Sequence, residues 1–549
     1  MSVELHFNHC HSQAAPGAVL FDCAEALGVH VPTSCRKQGK CKECLVEIIE
    51  GMECLSPRAP AEDHLRDNFR LSCQCRIATE SGSVRCHTMR RGQMRIEHQA
   101  FALPVTHRSL KLDPAVTRAG DRILLDGQEI DRSLGPIHGL AMDLGTTTIV
   151  LRLLDLETGE IVANSSFENP QRFGGSNVMA RIQYDTEDGK HLLQRTLAGY
   201  LTHAIEEFPV DPKSIYEMVV AGNSTMRDLF FGLSVYSIGQ SPYQSVTELE
   251  MSAGARNSTS LSGNTKRLML PLHPKARVYG LPIISGHVGA DAAACMLAVD
   301  LAHEERLIAL MDIGTNTELI LGNRHKILAA SCPAGPAFEG GKISCGMPGL
   351  PGAIERVKLN GDGSMALQVI DGGVAEGICG SGMVDLLSEL LRHGLLNSLG
   401  RFENGEKRIV LDPGGDEPVF FDESDTNELA QAKGANAAGL QIIFDTYGSA
   451  FEALDVFYLA GGFGRYLDVA ASKRIGLIPN LEDSKILQVG NASIEGACIA
   501  LLSRAKRVEL EELVKRVTHC RLESHAGFFD YFVEGCQFKP IEALTCLER

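Results

Sequence analysis

Four cysteines near the N-terminus have a spacing typical of metal-binding loops. Cys35, Cys41 and Cys44 form a C-x5-C-x2-C run, and Cys73 follows at a distance. Plant-type [2Fe-2S] sites use C-x4-C-x2-C and a distant fourth cysteine, so this run has one extra residue in its first gap. Gly39 supplies the flexible backbone that a loop around a cluster needs. We therefore predict that these four thiolates hold a [2Fe-2S] cluster.

Zinc and unligated thiols are the alternatives for these cysteines. Cys41 and Cys44 could form half of a zinc knuckle, but Cys73 and Cys75 are too close together to form the other half. Cys75 and Cys54 could lie near the cluster without binding iron. Three further cysteines are expected to be buried, unligated thiols: Cys10, Cys23 and Cys86.

The segment around these cysteines is predicted to fold as a small β-grasp-like unit. Alternating apolar and polar residues indicate strands, and two short stretches between them favour helices. Glu50 and Gly51 supply a turn after the second strand. The predicted strands are Val3–Phe7, Leu45–Ile49, Leu71–Ala78 and Val84–His87, and the predicted helices are Asp22–Leu27 and Glu62–Asn68.

Residues 142–148 and 311–317 are two copies of one short pattern. The first reads Met-Asp-Leu-Gly-Thr-Thr-Thr and the second Met-Asp-Ile-Gly-Thr-Asn-Thr, and each lies between two apolar strands. In such a turn, glycine lets the backbone approach a phosphate, and N–H groups and threonine hydroxyls donate to its oxygens. The aspartate holds Mg²⁺, usually through water. One copy is explained equally well by an ordinary hairpin, but two copies favour an ATP site.

The pattern assigns a role to the polar residues of both hairpins. Asp143 and Asp312 are expected to organise Mg²⁺, and Asp312 is one of two candidate catalytic residues. The residues expected to contact the phosphates are Gly145, Thr146, Thr147, Gly314, Thr315 and Thr317.

Two later segments fit the same nucleotide. Residues 457–464 predict a strand that enters a turn before a helix, where the backbone of Gly461, Gly462 and Gly464 can cradle adenosine. Residues 490–497 predict a helix start rich in small residues. Small residues let helices approach closely, as a hinge between two halves requires.

These motifs resemble those of the acetate and sugar kinase–Hsp70–actin superfamily. The resemblance implies two α/β halves that close over ATP. It also implies an acidic residue, on the helix before the second phosphate hairpin, that polarises the attacking water, and Asp291 is the matching residue. The alternative is that Asp291 is a charge at a helix N-terminus, which the helix dipole favours.

A C-x5-C-x2-C ferredoxin segment followed by this ATPase resembles the reductive activators of corrinoid proteins. The resemblance implies that an external low-potential donor passes an electron through the cluster to a Co(II) corrinoid. That corrinoid is bound to a separate methyltransferase component, and it becomes Co(I) while ATP is consumed. The resemblance extends over nearly the whole chain and includes residues 221–226, 333–340, 343–347 and 377–382.

The chain departs from that family at the cluster. Arg36 and Lys37 stand where glycines are common, and Cys75 stands where a small residue without a thiol is common. These departures concern the shape and potential of the cluster loop. The strings around Glu339, Cys345 and Cys379 are expected to line the nucleotide cleft or the surface for the corrinoid protein, with plain glycine-rich turns as the alternative.

At 549 residues the chain is too long for one core. We predict an α/β multidomain protein with an N-terminal β-grasp, ferredoxin-like α+β domain, a linker, and a two-lobed, actin-like (ribonuclease H-like) α/β ATPase. The linker contains several prolines and only one strand-like run, at Ile123–Leu125. The predicted boundaries are 1–90 for the ferredoxin-like domain, 91–137 for the connector, 138–302 for the first lobe and 303–549 for the second lobe.

Composition argues against several classes of protein. The net charge of −17 disfavours a nucleic-acid partner, because phosphate binding needs a basic face. The longest apolar stretch, Leu281–Ala302, contains His287 and Asp291, which argues against a membrane span. The 17 cysteines without a secretory signal indicate a reducing, cytoplasmic location. A G-x-G-x-x-G motif after a strand is missing, so we expect no internal NAD(P)H or flavin module.

Three other functions are compatible with the sequence. The same ATP-gated electron transfer could serve a different low-potential acceptor. The ATPase half could instead be a small-molecule kinase, or a nucleotide-responsive docking module that hydrolyses little ATP. Reductive activation of a corrinoid protein fits best, because the cluster motif, the phosphate hairpins and the specific strings occur in one chain.

Overall fold

The computed structural model of the protein describes residues 2–90, 102–403, 405–412, 418–462 and 464–541. Residues 3–88 contain a five-stranded sheet in the order β2-β1-β5-β3-β4, in which β1 and β5 are parallel. Its apolar residues alternate along β1 and face a core that α1 covers. The elements are β1 Val3–Phe7, β2 Cys10–Ala14, α1 Leu20–Ala26, β3 Leu45–Glu50, β4 Phe69–Leu71 and β5 Ser83–Thr88.

Two of the elements predicted for this domain are wrong. The strand predicted at Leu71–Ala78 ends at Leu71, because the backbone turns there and the N–H of Gln74 donates to the Leu71 carbonyl at 2.8 Å. The helix predicted at Glu62–Asn68 is only a short 3-10 turn, Pro60–Glu62. The carboxylate of Glu62 instead pairs with the buried Arg70 guanidinium at 2.8 Å and accepts from the Leu71 N–H at 2.9 Å.

The connector contains a three-stranded antiparallel sheet where the sequence predicted a single strand. Its two turns contain Gly120 and Gly127, both at positive φ, where glycine is favoured. Alternation is hard to recognise in these strands because they carry many charged residues and bury few side chains. The strands are β6 Val116–Ala119, β7 Arg122–Leu125 and β8 Gln128–Arg132.

The first lobe is built on a six-stranded sheet in the order β11-β10-β9-β12-β14-β13. β12 lies in its centre and is buried along its whole length, as expected for a strand covered on both faces. The strands are β9 His138–Leu144, β10 Thr148–Asp155, β11 Ile161–Glu168, β12 Ile215–Gly222, β13 Leu261–Asn264 and β14 Arg277–Gly280. The helices are α2 Val178–Asp188, α3 Leu192–Glu206, α4 Ser224–Phe231, α5 Val246–Ser252 and α6 Ala290–Ala298.

The second lobe repeats this plan in a sheet of order β24-β23-β15-β16-β17-β25, with two smaller sheets added. The main strands are β15 Ile308–Asp312, β16 Thr317–Asn323, β17 Lys326–Cys332, β23 Val456–Ala460, β24 Ile486–Gly490 and β25 Val517–His519. The smaller sheets hold β18 Ala353–Leu359, β19 Met365–Val369 and β20 Gly377–Ile378, and β21 Arg408–Asp412 with β22 Val419–Asp422. The helices are α7 Gly380–Arg392, α8 Glu423–Tyr447, α9 Val469–Ile475, α10 Ala492–Leu502, α11 Arg504–Val514 and α12 Phe528–Gly535.

The repeat has a structural counterpart in the two lobes. Each lobe contains an antiparallel meander, β9-β10-β11 in the first and β15-β16-β17 in the second. In each meander, one of the two D-x-G-T turns joins the first strand to the second. A parallel strand then joins each first strand, β12 beside β9 and β23 beside β15. Helices α6 and α10 pack closely at the junction of the lobes, where a Cβ on Gly496 would lie 2.0 Å from the Ala294 carbonyl oxygen. Among the described residues, the helices are all too short or too polar to cross a bilayer.

Candidate functional site

The four cysteines selected by their spacing lie together in the ferredoxin-like domain. Cys44 Sγ donates a hydrogen bond to Cys73 Sγ at 3.2 Å, and the thiols of Cys35 and Cys41 also share a hydrogen bond. The charges of all four sulfur atoms act on the Lys42 ammonium, so that ammonium lies close to each of them. The loop therefore brings two pairs of thiols together around one position.

Backbone N–H groups of the loop point at these sulfur atoms. Burial acts to raise the pKa of Cys35, but three N–H groups from residues 38–41 donate to its sulfur and lower that pKa. A hydrogen bond from Cys44 lowers the pKa of Cys73 to about 6, and the Gly39 N–H contributes in the same direction. A loop that favours thiolates and presents N–H groups to them suits an iron–sulfur cluster.

Cys75 and Cys54 lie apart from this loop. Burial raises the pKa of Cys75 to about 12, and the charged groups that act on it are Arg70 and Glu62 rather than the other thiols. Cys54 packs against Gly82, where an added Cβ would lie 2.6 Å from its sulfur. Both are buried, and the burial of Cys75 favours its neutral thiol.

The remaining cysteines of this domain differ in burial. Cys86 is buried on the central strand β5, as the sequence predicted. Cys10 and Cys23 were expected to be buried but are only partly so. Cys10 begins β2, which is the edge strand of the sheet and leaves one side open to solvent.

The cluster loop packs directly on the first lobe. Glu43, between two of the predicted iron ligands, is buried, and its carboxylate accepts from Ser34 Oγ at 2.6 Å and contacts His203 Nε2 at 3.1 Å. Burial acts to raise the pKa of Glu43, but the hydrogen bonds from His203 and Ser34 lower it overall. His203 belongs to α3, and the same helix places Gly199 so close that a Cβ there would lie 2.8 Å from Glu43 Cγ. The first lobe thus covers one side of the cluster loop.

Further contacts extend this interface beyond the loop. Tyr184 Oη donates to the His64 carbonyl at 2.8 Å, and one hydrophobic core runs from the ferredoxin-like domain into the first lobe. Arg172 of the first lobe pairs with Glu47 on β3 at 3.2 Å. The second lobe contacts the domain through Glu376, whose carboxylate lies 2.9 Å from His9 Nδ1.

A cleft between the lobes collects most of the residues predicted to bind nucleotide. Both D-x-G-T turns, the start of α6 and the glycine-rich turn after β23 line it. Residues predicted from the sequence that line the cleft are Asp143, Gly145, Thr146, Thr147, Asp291, Asp312, Gly314, Thr315, Gly461 and Gly462.

Two predicted nucleotide contacts are placed elsewhere, and other residues take part instead. Thr317 is fully buried in β16, and its hydroxyl has no hydrogen-bond partner among the described residues. Gly464 starts a short 3-10 helix, and its carbonyl accepts from Gln488 Nε2 at 2.8 Å. Residues that line the cleft without having been predicted as ligands include Thr148, Asn223, Asn316, Glu318, Tyr466, Asn491 and Ser493. Glu339 also lines it, which is one of the two placements expected for its string.

Two of these unpredicted residues are asparagines that start helices at the cleft. Asn223 Oδ1 accepts from the Met226 N–H and so caps α4, while its Nδ2 donates to Thr146 Oγ1 at 2.8 Å. Asn491 caps α10 in the same way, and its Nδ2 donates to Asp143 Oδ2 at 2.9 Å. Both asparagines follow a glycine at the end of a strand, a signal that the sequence carried.

Carboxylates crowd the cleft at the ends of the strands. Burial, with a smaller contribution from the charge of Asp143, raises the pKa of Asp291 and that of Asp312 to about 7. Burial also raises the pKa of Glu318 well above its usual range. Asp312 Oδ2 accepts from Cys295 Sγ at 3.5 Å. Carboxylate oxygens are the ligands that a hard divalent cation prefers, and these four carboxylates line the cleft.

Family models match three parts of this chain. The 2Fe-2S iron-sulfur cluster binding domain matches residues 10–78. The RACo middle region matches residues 138–304, and the C-terminal domain of RACo, the ASKHA domain, matches residues 306–545. The chain belongs to the RACo family.

Individual relatives align along most of the chain. The corrinoid activation enzyme RamQ of Eubacterium limosum is 27% identical over 95% of this chain and 96% of its own length. The [Co(II) methylated amine-specific corrinoid protein] reductase of Methanosarcina barkeri is 27% identical over 72% of this chain and 76% of its own. A solved structure of a reductive activator for corrinoid,iron-sulfur protein superposes with a TM-score of 0.72 at 26% identity and covers 98% of both chains.

Membership of the RACo family confirms two predictions made from the sequence. The resemblance to reductive activators was correct. The fold class was also correct, because the chain consists of a ferredoxin-type N-terminal domain and an ASKHA-type C-terminal part with mixed α/β sheets.

We predict that replacing Asp312 with asparagine stabilises the magnesium-free protein more at alkaline pH than at acidic pH. Between about pH 4 and pH 7 the unfolded state has released a proton that the folded state keeps, so the free energy of unfolding falls as pH rises. Asparagine removes that dependence. Calorimetry in a chelator should show a gain in melting temperature that is ~3 °C larger at pH 8 than at pH 5.

The control for this prediction is Glu129→Gln. Glu129 lies exposed on β8, far from the carboxylates of the cleft, so its replacement should shift the melting temperature equally at both pH values. Equal shifts for Asp312→Asn as well would show that Asp312 is not held in its neutral form by the cleft.

Proposed function

We propose that this chain reductively activates a corrinoid protein at the expense of ATP. The cysteines at 35, 41, 44 and 73 would hold a [2Fe-2S] cluster. Bound there, the cluster would supply one-electron transfer from an external low-potential donor to a Co(II) corrinoid on a methyltransferase partner, where Co(II) becomes Co(I). Family membership and the names of the relatives support this proposal, since those proteins are described as activating or reducing corrinoid proteins.

The observation that carries the proposal is that the first lobe packs against the cluster loop and also supplies one phosphate hairpin of the nucleotide cleft. The N–H of Asn169 donates to the Thr147 carbonyl of the first hairpin at 2.7 Å. Asn169 also caps the short 3-10 helix Pro170–Gly174, in which Arg172 pairs with Glu47 of the ferredoxin-like domain. One short segment thus contacts the phosphate hairpin at one end and the cluster domain at the other.

We assign a role to each part of the chain within the boundaries predicted from the sequence. Residues 1–90 carry the electron, residues 91–137 connect, and residues 138–302 and 303–549 form the two lobes that close over the nucleotide. The described part of the connector, residues 102–137, is anchored to the second lobe, because His107 contacts Glu495 of α10 through its ring Nδ1 at 2.7 Å. Glu495 also pairs with Arg152 of the first lobe at 2.7 Å.

In the cleft, different residues bind the nucleotide and promote its hydrolysis. Gly145, Gly314 and the threonine hydroxyls contact the phosphates, and the turn of Gly461 and Gly462 contacts adenosine. Mg²⁺, when bound, neutralises phosphate charge. Asp143 and Asp312 would hold this ion, and Asp291, at the start of α6, would accept a hydrogen bond from the attacking water and orient it. Its raised pKa suits a group that takes up a proton.

Coupling to ATP is needed because electron transfer from the cluster to the corrinoid is energetically uphill. A plant-type [2Fe-2S] centre has a potential near −400 mV, and the family resemblance implies that the corrinoid couple lies lower. Each ~59 mV uphill lowers the equilibrium constant of a one-electron transfer tenfold. ATP can shift this equilibrium only if the nucleotide-bound protein binds the two cobalt states with different affinity. The thiolates also need a reducing environment, so we place the reaction in the cytoplasm.

We expect Co(I) to form only when ATP, Mg²⁺, reductant and the corrinoid partner are all present. The measurement follows Co(I) absorbance after each single omission, and ATP hydrolysis should rise when the partner is added. Omission of ATP or Mg²⁺ should leave the cluster reduced and the cobalt as Co(II). Full cobalt reduction without ATP, from a donor no stronger than the cluster, would contradict the proposal.

A further inference from the structure

Glu339 reaches both phosphate hairpins at once. It ends the short 3-10 helix Ala337–Glu339 that follows β17, in the second lobe, and its side chain lines the cleft. Its Oε2 accepts from Thr147 Oγ1 of the first hairpin at 2.9 Å and from Thr315 Oγ1 of the second hairpin. The two hydroxyl oxygens lie 2.7 Å apart. A single carboxylate oxygen therefore joins a threonine from each lobe.

The surroundings of this carboxylate are those of an anion site. Burial raises the pKa of this carboxyl group, while the two threonine hydroxyls and the positive charges of Arg172 and Arg181 act to lower it. Arg181 is fully buried, and its guanidinium donates to the Thr146 carbonyl at 2.6 Å. The hydroxyl groups that donate to this carboxylate oxygen could equally donate to a phosphate oxygen.

A nucleotide phosphate and Glu339 cannot occupy this position together. Each threonine hydroxyl has one proton to donate, so it cannot serve the carboxylate and a phosphate oxygen at the same time. Two anions that share one buried position also repel each other strongly. The turn of Gly461 and Gly462 belongs to the second lobe, so a nucleotide whose adenosine rests there reaches Thr147 of the first lobe with its distal phosphate.

We infer that Glu339 fills the terminal-phosphate position between the two hairpins and is the residue that a nucleoside triphosphate displaces when it binds. The inference rests on the proposed ATP function and deepens it. A diphosphate leaves the contact between Glu339 and Thr147 in place, whereas a triphosphate breaks it. Glu339 is thus a specificity-determining residue that links a contact between the lobes to the terminal phosphate.

The test measures binding of ADP and of a non-hydrolysable ATP analogue, both with Mg²⁺, to the full chain. Glu339→Gln keeps the size of the side chain but removes its charge, so the triphosphate should bind ~10-fold more tightly, while ADP affinity stays within twofold. Glu339→Asp keeps the charge but is too short to reach both hydroxyls, and it should tighten triphosphate binding as well. It serves as the second variant if Glu339→Gln fails to fold.

Glu355 provides the matched control. It is another buried carboxylate that lines the cleft, and it accepts from Gln368 Nε2 at 2.9 Å rather than from the hairpin threonines. Glu355→Gln should leave the ratio of triphosphate to diphosphate affinity unchanged.

Two results would overturn the inference. Either an unchanged affinity ratio in both Glu339 variants or weaker triphosphate binding would show that Glu339 does not compete with the terminal phosphate. A wild-type chain that binds no ATP, or forms Co(I) without it, would instead defeat the proposed function. The two failures are therefore distinguishable.

Discussion

Replacing Cys73 with alanine is expected to strip the iron and the visible colour from the protein and to reduce Co(I) formation to background. Cys73 shares a hydrogen bond with Cys44 at 3.2 Å, and its lowered pKa favours the thiolate that binds iron. Hydrolysis of ATP should continue, because the cleft lies in other domains. Iron content, the visible spectrum and Co(I) absorbance measure the three effects on one preparation.

Cys75→Ala is the control, since it removes a neighbouring thiol with a different environment. Cys75 has a raised pKa, and the charged groups that act on it are Arg70 and Glu62 rather than the thiols of the loop. We therefore expect the Cys75→Ala variant to keep a full cluster. If Cys75→Ala loses the cluster while Cys73→Ala keeps it, then the fourth ligand is Cys75 and the departure from the family pattern at that position is functional.

Asp312→Ala is expected to lower ATP turnover by about 10²–10³-fold, the effect of losing one strong electrostatic contributor to a transition state. Asp312 ends β15 in the cleft, beside Asp143 and Asp291, where the side chains can organise a divalent cation. Asp291→Asn should leave nucleotide affinity unchanged but slow hydrolysis. Turnover at saturating ATP and nucleotide affinity, measured separately, distinguish these two roles.

Thr317→Val provides the comparison for the hairpin residues. The sequence predicted Thr317 as a phosphate ligand, but its side chain is fully buried and lies outside the cleft lining. Turnover in this variant should therefore stay near that of the wild type. Wild-type turnover in Asp312→Ala would refute the role of the second hairpin, and a normal rate in Asp291→Asn would return Asp291 to a helix-start charge.

The close packing of the ferredoxin-like domain on the first lobe bears on how the electron is delivered. Glu43 and Glu47 both contact the first lobe, through His203 and Arg172, and the two domains share one apolar core. The second lobe contacts this domain through the pair of His9 and Glu376. A movement of one lobe relative to the other would therefore carry the cluster with the first lobe and disturb the contact with the second.

Short, local patterns in the sequence were enough to select residues that the fold brings together. The spacing of Cys35, Cys41 and Cys44 brings their sulfur atoms together because the backbone between them can form only a tight loop. The D-x-G-T turns form for a similarly local reason, since glycine and the flanking apolar strands dictate a hairpin within a few residues. The fold class was expected from the resemblance of these motifs to the acetate and sugar kinase–Hsp70–actin superfamily.

Predictions from local patterns were wrong where a side chain made contacts that replaced a regular helix, and where a strand buries few of its residues. The helix predicted at Glu62–Asn68 does not form, because the Glu62 carboxylate instead accepts hydrogen bonds from the Arg70 guanidinium and the Leu71 N–H. The strands of the connector were missed because few of their residues are buried. Thr317 was assigned to the phosphates because the repeat does not show which threonine of a hairpin points into the cleft.

Only the tertiary structure decided which residues complete the cleft. Asn491 and Asp143 are separated by 348 positions along the chain, and Glu339 and Thr147 by 192, yet each pair forms a hydrogen bond of 2.9 Å. The residue types in these pairs are common at turns and helix starts, so neither one reveals its partner. The sequence by itself determined the cluster loop and the two hairpins, because neighbouring residues form them. The contacts that join the lobes depend on packing of distant elements, and packing is a property of the whole fold.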